Sequence, residues 1–196
     1  MPKKALMVLA EGFEEIEAIA PADILNRVGV EVTVASLADS PVAAAYGSKI
    51  VADTTLDTLP DQLYDAIILP GGKRNAQALA GNSRVVAMVK AHLEAGKIVA
   101  AICASPSHVL AEAAGILKGK RATGDPGFND KLVAGGAVLT HEHVTVEGNI
   151  ITAMGPGAAM AFGLMLAEKL VDKKTADHWA EKWQINRNQQ AAVRRN

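Results

Sequence analysis

The chain has 196 residues, of which 49% are hydrophobic and 21% charged, and its formal net charge is −1. These values are typical of one globular domain with a sizeable core, and the near-neutral charge gives no electrostatic argument for binding nucleic acid or an acidic membrane surface. The single cysteine, Cys103, excludes an intrachain disulfide framework and a multi-cysteine zinc site. No apolar run has transmembrane length and the N-terminus resembles a first strand, so we expect a soluble cytoplasmic protein.

Apolar runs of strand length alternate with helical patterns from the N-terminus onward. Repeated βα units predict an α/β fold with a mostly parallel central sheet and helices on both faces, a doubly wound sandwich. In such a fold, functional residues gather beyond the carboxyl ends of the strands. In chain order we expect strands at 5–10, 30–35, 49–53, 64–69 and 98–102, and a hairpin of 144–146 and 149–153. We expect helices at 14–28, 82–95, from Pro106 to near Gly115, at 158–171 and from the cap Thr175.

Residues 1–186 are predicted to form one domain, and residues 187–196 a polar basic tail. Because the tail is terminal and polar, we expect a disordered end rather than a binding arm. Trp179 and Trp183 lie four residues apart, on one face of the last predicted helix. Packing of this helix onto the body is favoured over a role in a site.

The segment around Cys103 is the strongest candidate for chemistry. The thiol follows an apolar strand and precedes a helix with Pro106 in its first turn, the arrangement of a nucleophile elbow. Exposed N–H groups and the helix dipole would favour the reactive thiolate. The alternative is a buried cysteine that serves as a small hydrophobic side chain.

Two further segments follow strands at the same end of the predicted sheet. Glu17 lies in an acidic segment that opens the first helix; it either complements the helix dipole or, if buried beside Cys103, holds a proton near neutral pH. The glycines of Pro70-Gly71-Gly72 allow close backbone approach, so their N–H groups could bind an oxyanion, although a plain turn remains open. A Walker-type phosphate loop does not fit, because its spacing and its Ser or Thr are missing.

The remaining histidines carry weaker signals. On a strand, His141 and His143 would share a face that suits a metal, but no third ligand is evident, and we favour a solvated strand end with no metal site. His92 and His108 are expected to have surface or core roles.

The chain resembles members of the ThiJ/PfpI superfamily, in the branch of the parkinsonism-associated protein deglycase. The resemblance spans about residues 4–171 and rests on four motifs: Ala10-Glu-Gly-Phe-Glu-Glu-Ile-Glu-Ala, Tyr64-Asp-Ala-Ile-Ile-Leu-Pro-Gly-Gly, Ile98-Val-Ala-Ala-Ile-Cys-Ala-Ser-Pro and Gly155-Pro-Gly. It implies a flavodoxin-like core, a homodimer, Cys103 as the elbow nucleophile, and Glu17 as its acid partner. It also implies an oxyanion-type pocket built from the amides of Gly72 and Ala104.

The chain departs from that branch at two positions. Asp125 stands where the branch often has a histidine, and it either opposes ionisation of the thiol or carries a proton itself. Tyr46 stands where relatives commonly have an arginine near the partner subunit's site. Ala104 occupies the position at which the superfamily's proteases need a histidine, so protease activity is not expected. The downstream His-x-Glu pair of the amidotransferase relatives is also not found.

Two functions from different classes remain open. As an enzyme, the protein would convert a small 2-oxoaldehyde to a hydroxy acid without a cofactor, or would repair early glycation adducts by similar chemistry. As a stress sensor or chaperone-like protein, it would act through oxidation of Cys103 to a sulfinate, without turnover.

Overall fold

The structure is a computed structural model that describes residues 1–185. A seven-stranded sheet forms its centre, and all neighbouring strands are parallel except the antiparallel hairpin at one edge. This confirms the predicted flavodoxin-like α/β fold with a mostly parallel sheet. Across the sheet the order is Val144–Glu147 (β10), Ile150–Ala153 (β11), Ile98–Ile102 (β7), Ala66–Leu69 (β6), Lys4–Leu9 (β1), Glu31–Ser36 (β2) and Thr54–Thr55 (β5).

Within residues 1–185, four two-residue strands form two small ladders outside this sheet, and there are six α-helices and three other helical segments. The small strands are Val42–Ala43 (β3), Lys49–Ile50 (β4), Arg121–Ala122 (β8) and Val138–Leu139 (β9). The helices are Glu15–Arg27 (α1), Lys73–Gly81 (α2), Ser83–Glu94 (α3), Asn129–Ala134 (α4), Ala159–Leu170 (α5) and Lys173–Lys182 (α6), with 3₁₀ turns at Pro126–Phe128 and Pro156–Ala158. Pro106–Ala113, which we call the elbow helix, is π-wound.

The sheet buries side chains on both faces, as a doubly wound fold requires. In β1, Leu6 and Val8 face α3, the elbow helix and α4, whereas Met7 and Leu9 face α1, α5 and α6. Because the parallel strands are covered on both sides, their carboxyl ends become the accessible edge at which loops can build a site.

Several strand and helix boundaries predicted from the sequence differ from those in the structure. Of the segment 49–53, only Lys49–Ile50 is a strand, and it pairs with β3 rather than with the central sheet, whose edge strand is Thr54–Thr55. The last helix begins at Lys173, because the Asp172 carboxylate caps it by accepting the Thr175 N–H at 2.7 Å. The helix α2, which follows the two glycines directly, is absent from the sequence-based prediction.

The last helix packs onto the body as predicted. Trp179 and Trp183 are half-buried against the core cluster that α1 and α5 share, with their rings edge to face at 5.3 Å. The Arg27 guanidinium lies 4.9 Å from the centre of the Trp183 ring. None of the helices within residues 1–185 combines the length and apolar character that a membrane crossing requires. The predicted tail at 187–196 lies outside the described residues, so the division into domain and tail stays a prediction.

Candidate active site

Cys103 occupies a sharp turn between β7 and the elbow helix. Its backbone φ is 63°, a left-handed conformation that is uncommon for a residue other than glycine and that persists only where the surroundings hold it. Here its N–H donates to the Ala153 carbonyl at 2.9 Å, and its carbonyl accepts the Asp125 N–H at 2.8 Å. The half-buried thiol is therefore displayed at the carboxyl end of the sheet, where the elbow prediction puts it.

The Gly71–Gly72 turn fits closely against this thiol. A Cβ on Gly71 would collide with the Glu17 carboxylate and would lie 2.5 Å from the Cys103 Cβ. Gly72 has a φ of 84°, and its N–H is hydrogen-bonded to the Cys103 sulfur. Because only glycine fits in both places, this segment is part of the site rather than a plain surface turn.

Glu17 lies beside the thiol in the first turn of α1. Its side chain is fully buried, and its Oε2 accepts the Gly71 N–H at 2.8 Å. Burial raises the pKa of Glu17 to about 8, with the hydrogen bond to Cys103 opposing the rise and the nearby charges of Glu14 and Asp125 adding to it. A carboxyl with that pKa is mostly protonated at neutral pH, so it can both give and take a proton.

The thiol itself is harder to ionise than the sequence suggested. Burial raises the pKa of Cys103, the charge and the hydrogen bond of Glu17 raise it further, and the Gly72 N–H opposes the rise. The expectation that amides and a helix dipole yield a stable thiolate is therefore wrong for the resting site, because desolvation outweighs them. Deprotonation of Cys103 requires a base in contact with it.

Asp125 is also placed at the thiol. Its Oδ2 lies 3.8 Å from the Cys103 Sγ, and its Oδ1 accepts the Gly127 N–H at 2.8 Å, which fixes the 3₁₀ turn that follows. His108, which is buried in the elbow helix, bonds the Ala104 carbonyl through Nδ1 at 2.9 Å and packs edge-on against Phe128 of that turn at 4.8 Å. His108 thus holds the Asp125 turn against the elbow helix.

Two buried polar side chains that sequence reasoning missed fix the glycine turn. Ser105 Oγ donates to the Pro70 carbonyl at 2.6 Å. Asn75 donates to the same carbonyl at 2.7 Å and accepts the Ala10 N–H at 2.6 Å, which ties together the ends of two strands. Ser105 lies in the segment around Cys103, and Asn75 lies three residues after Gly72, so closeness to these two segments was the signal that could have identified both residues.

A cavity of about 260 Å³ opens at the thiol. Its walls are Cys103, Asp125, Pro126, His143, Met154, Gly155, Pro156, Gly157 and Ala158. His143 was expected at a solvated strand end. It does stand at a strand end, directly before β10, but it is partly buried in this wall rather than solvated, and neither it nor His141 lies within a strand.

Other predicted residues lie apart from the thiol or remain untested. Tyr46 is 83% exposed, and its N–H donates to Glu15 Oε1 at 3.0 Å. His92 is a core residue whose Nε2 accepts the Tyr64 N–H at 3.1 Å. The role predicted for the Ala104 amide stays a prediction. Within residues 1–185, no three His, Cys, Asp or Glu side chains are grouped closely enough to hold a metal ion.

Residues 3–169 match the model of the DJ-1/PfpI family. The chain belongs to the DJ-1/PfpI family. It is 40% identical over 176 residues to protein DJ-1 homolog A of Arabidopsis thaliana, a match that covers 89% of this chain and 45% of the relative. It is 38% identical over 177 residues to the Parkinson disease protein 7 homolog of Danio rerio, covering 89% of this chain and 93% of the relative. The predicted branch of the superfamily is thereby confirmed.

A third DJ-1 relative is named for an activity. The glutathione-independent glyoxalase DJR-1.2 of Caenorhabditis elegans is 36% identical over 169 residues, covering 86% of this chain and 89% of that protein. The solved structure of oxidized Toxoplasma gondii DJ-1 superimposes with a TM-score of 0.87 at 37% identity, covering 93% of this chain and 98% of that one. The chain spans less than half the length of the two Arabidopsis DJ-1 homologues it matches.

Proposed function

We propose that the protein is a cysteine-dependent, cofactor-free glyoxalase that converts small 2-oxoaldehydes, such as methylglyoxal, to 2-hydroxy acids. The observation that carries this proposal is the contact of Cys103 with two acids of different character, the buried Glu17, whose pKa is raised to about 8, and Asp125 at 3.8 Å. A nucleophile flanked by a proton donor and a base suits an internal proton transfer. The glyoxalase name of the nematode relative supports the same reaction class.

The first step forms a hemithioacetal. Asp125 removes the thiol proton as Sγ attacks the aldehyde carbon, and Glu17 gives its proton to the aldehyde oxygen. The Gly72 amide, and by our prediction that of Ala104, stabilise the negative charge that develops on this oxygen. The carboxyl that has just lost its proton, Glu17, is then a base buried beside the substrate.

The second step moves the hydrogen from the first carbon to the second. Glu17 removes the C1 proton, Asp125 protonates the C2 oxygen, and the enediol that results is protonated at C2 by Glu17. Loss of the C1 hydroxyl proton to Glu17 leaves a thioester of a 2-hydroxy acid. Water hydrolyses this thioester, which releases the acid and restores the thiol, so the sum is 2-oxoaldehyde plus water to 2-hydroxy acid. Repair of early glycation adducts would begin from a hemithioacetal of the same kind.

The test is lactate production from methylglyoxal by the purified protein in the absence of glutathione. We expect turnover in the wild type, none in Cys103→Ser, and a loss of about 10²–10⁴-fold in Glu17→Gln, because the amide cannot move the proton. Glu94→Gln, an exposed carboxylate of α3, is the matched control and should turn over like the wild type.

Cys103→Ser prepared from the same host also measures contaminating glyoxalase. A wild-type rate no higher than that of Cys103→Ser would overturn the proposal.

A second candidate is a stress sensor in which Cys103 is oxidised by peroxide to a sulfinate. The lone half-buried thiol beside the protonated Glu17 supports it, as does the oxidized form of the Toxoplasma relative. The two proposals separate by intact mass: mild peroxide should add two oxygens at Cys103 before any methionine reacts. Oxidation of methionines first would count against the sensor.

We also propose that the protein is a homodimer. Ile16 and Ile19 are 52% and 50% exposed on the outer face of α1, although large apolar side chains of a helix are usually buried. Light scattering after gel filtration should give twice the 20.4 kDa mass of the chain, and Ile16→Glu should give one chain mass. A wild-type mass of one chain would exclude the dimer.

A further inference from the structure

The cavity at Cys103 contains one side chain that the proposed reaction has not used. The imidazole of His143 forms part of its wall, and the Nδ1 of that ring is buried with no hydrogen-bond partner among the described residues. A buried nitrogen without a partner is costly and is rarely kept without a reason. The ring has a second nitrogen, Nε2, so one of the two nitrogens can donate to a substrate oxygen in the cavity that the ring lines.

The backbone around His143 is held in place on both sides. Its carbonyl accepts the N–H of Met154, another residue of the cavity wall, at 3.0 Å. The neighbouring Glu142 accepts from Arg121 at 3.4 Å, and its N–H donates to Thr140 Oγ1 at 3.3 Å. His141 has a φ of 55°, a left-handed conformation that is uncommon for a residue other than glycine. The backbone at His143 is therefore held on both sides, with the imidazole in the cavity wall.

The composition of the cavity wall narrows what His143 can do. Cys103 and Asp125 are already occupied by bond formation and proton removal, and the other six wall residues described are proline, glycine, alanine and methionine. Their side chains have no hydrogen-bond donor. A 2-oxoaldehyde brings two carbonyl oxygens, of which the aldehyde oxygen is bound by backbone amides. The 2-oxo oxygen has two lone pairs, of which one faces Asp125 when this residue protonates it, and His143 is the other side chain in this wall that can donate to it.

We propose that His143 is a specificity-determining residue that donates a hydrogen bond to the 2-oxo oxygen of the substrate. The inference rests on the glyoxalase function proposed above. The bond holds the ketone beside the carbon that Cys103 attacks, and it stabilises the negative charge that reaches this oxygen when the C1 proton leaves. Aldehydes without the 2-oxo group gain nothing from it, so His143 favours 2-oxoaldehydes over simple aldehydes.

The test compares methylglyoxal with propanal, an aldehyde of the same chain length that lacks the 2-oxo oxygen. His143→Leu removes the donor, and we expect kcat/KM for methylglyoxal to fall at least tenfold, as loss of a hydrogen bond in the transition state should produce. Inhibition by propanal, which adds to Cys103 reversibly, should change less than twofold. His143→Asn and His143→Gln present an amide N–H near the position of one or the other ring nitrogen, so one of them should regain part of the lost rate.

His141→Asn is the matched control, because that ring is exposed in the same loop and asparagine tolerates a positive φ. This substitution should leave kcat/KM for methylglyoxal and the inhibition by propanal unchanged. The inference is overturned if kcat/KM of His143→Leu for methylglyoxal equals that of the wild type, or if the substitution weakens inhibition by propanal by the same factor. The proposed glyoxalase function would stand in either case.

A second readout does not need turnover. In Cys103→Ser, L- or D-lactate at millimolar concentration should shift the imidazole NMR signals of His143 and leave those of His141 in place, since the product hydroxyl takes the position of the 2-oxo oxygen. Lack of any shift at His143 would overturn the inference, whereas lack of wild-type turnover would overturn the function.

Discussion

The two ends of the central sheet shift the pKa of a carboxyl group in opposite directions. At the carboxyl end, Glu17 is fully buried, and the charges that act on it, those of Glu14 and Asp125, are also negative. At the amino end, burial acts to raise the pKa of Asp65, but the Lys4 N–H and the ammonium groups of Lys97 and Lys3 lower it overall. The first arrangement costs stability and prepares a proton for transfer, whereas the second stabilises the fold. Groups with raised pKa values thus mark the end of the sheet at which chemistry is expected.

Among these comparisons of the two ends of the sheet, the largest effect on activity is expected from a side chain that fills the space between Glu17 and Cys103. Gly71→Ala places a Cβ against both side chains and 2.9 Å from the Ile102 carbonyl. We expect kcat/KM to fall by about 10²-fold, because small displacements of reacting groups are that costly, and the protein to lose about 1–3 kcal/mol of stability. Gly81→Ala, where a Cβ meets nothing within 4 Å, should leave activity and urea midpoint nearly unchanged. Equal behaviour of the two variants would refute the close packing.

The pH dependence of the free energy of unfolding should show how much stability the buried Glu17 costs. Its folded pKa is about 8 against an ordinary value of 4.5, so the folded state retains the proton over this interval and loses stability as pH rises through it. Glu17→Gln removes the titration, and its stability relative to the wild type should improve by on the order of 3 kcal/mol from pH 4.5 to pH 8. Urea unfolding at both pH values measures the difference, and parallel curves for the two proteins would contradict it.

Asp125 offers a smaller effect on the same thiol. Asp125 is the base in contact with the thiol, so Asp125→Asn should slow alkylation by iodoacetamide at pH 7 by about two- to fivefold, against the smaller opposing effect that loss of its charge has on the pKa of Cys103. The asparagine oxygen can still accept the Gly127 N–H, so the turn should persist. Asp130→Asn, an exposed carboxylate of α4, serves as the control. A faster reaction in Asp125→Asn would mean that Asp125 acts on the free thiol chiefly through its charge and would contradict its role as the base.

The smallest effect, a change in stability, is expected at Asp65 at the amino end of the sheet. Because the pKa of Asp65 is lowered, its contribution is present above the ordinary value of 3.8 and is lost as pH falls through the folded value. The site is partly exposed and screened by solvent, so Asp65→Asn should cost at most about 1 kcal/mol at pH 7 and nothing in strong acid. Asp61→Asn, in the loop before the same strand, should be neutral throughout. Turnover should be unchanged in both.

Local sequence patterns predicted much of the fold, because each pattern depends only on residues that are close together in the chain. Gly29 and Gly96 both have positive φ values and follow α1 and α3, where the sequence places the helix ends. The two-residue strands β3 and β5 were not predicted, and β4 was predicted too long, since so short a strand is defined by its partner rather than by its own periodicity. The π winding of the elbow helix has no signal in residues 106–113 either.

For this protein, the sequence determined the parallel α/β sheet, the elbow at Cys103, and the Glu17 and glycine segments beside it, since strand ends at one edge of a sheet follow from the order of elements. Only the tertiary structure decided the protonation of Cys103 and Glu17, because burial depends on every element packed around them. It also decided that His143, which the hairpin of β10 and β11 carries to the cavity, stands beside a thiol that lies forty residues earlier in the chain.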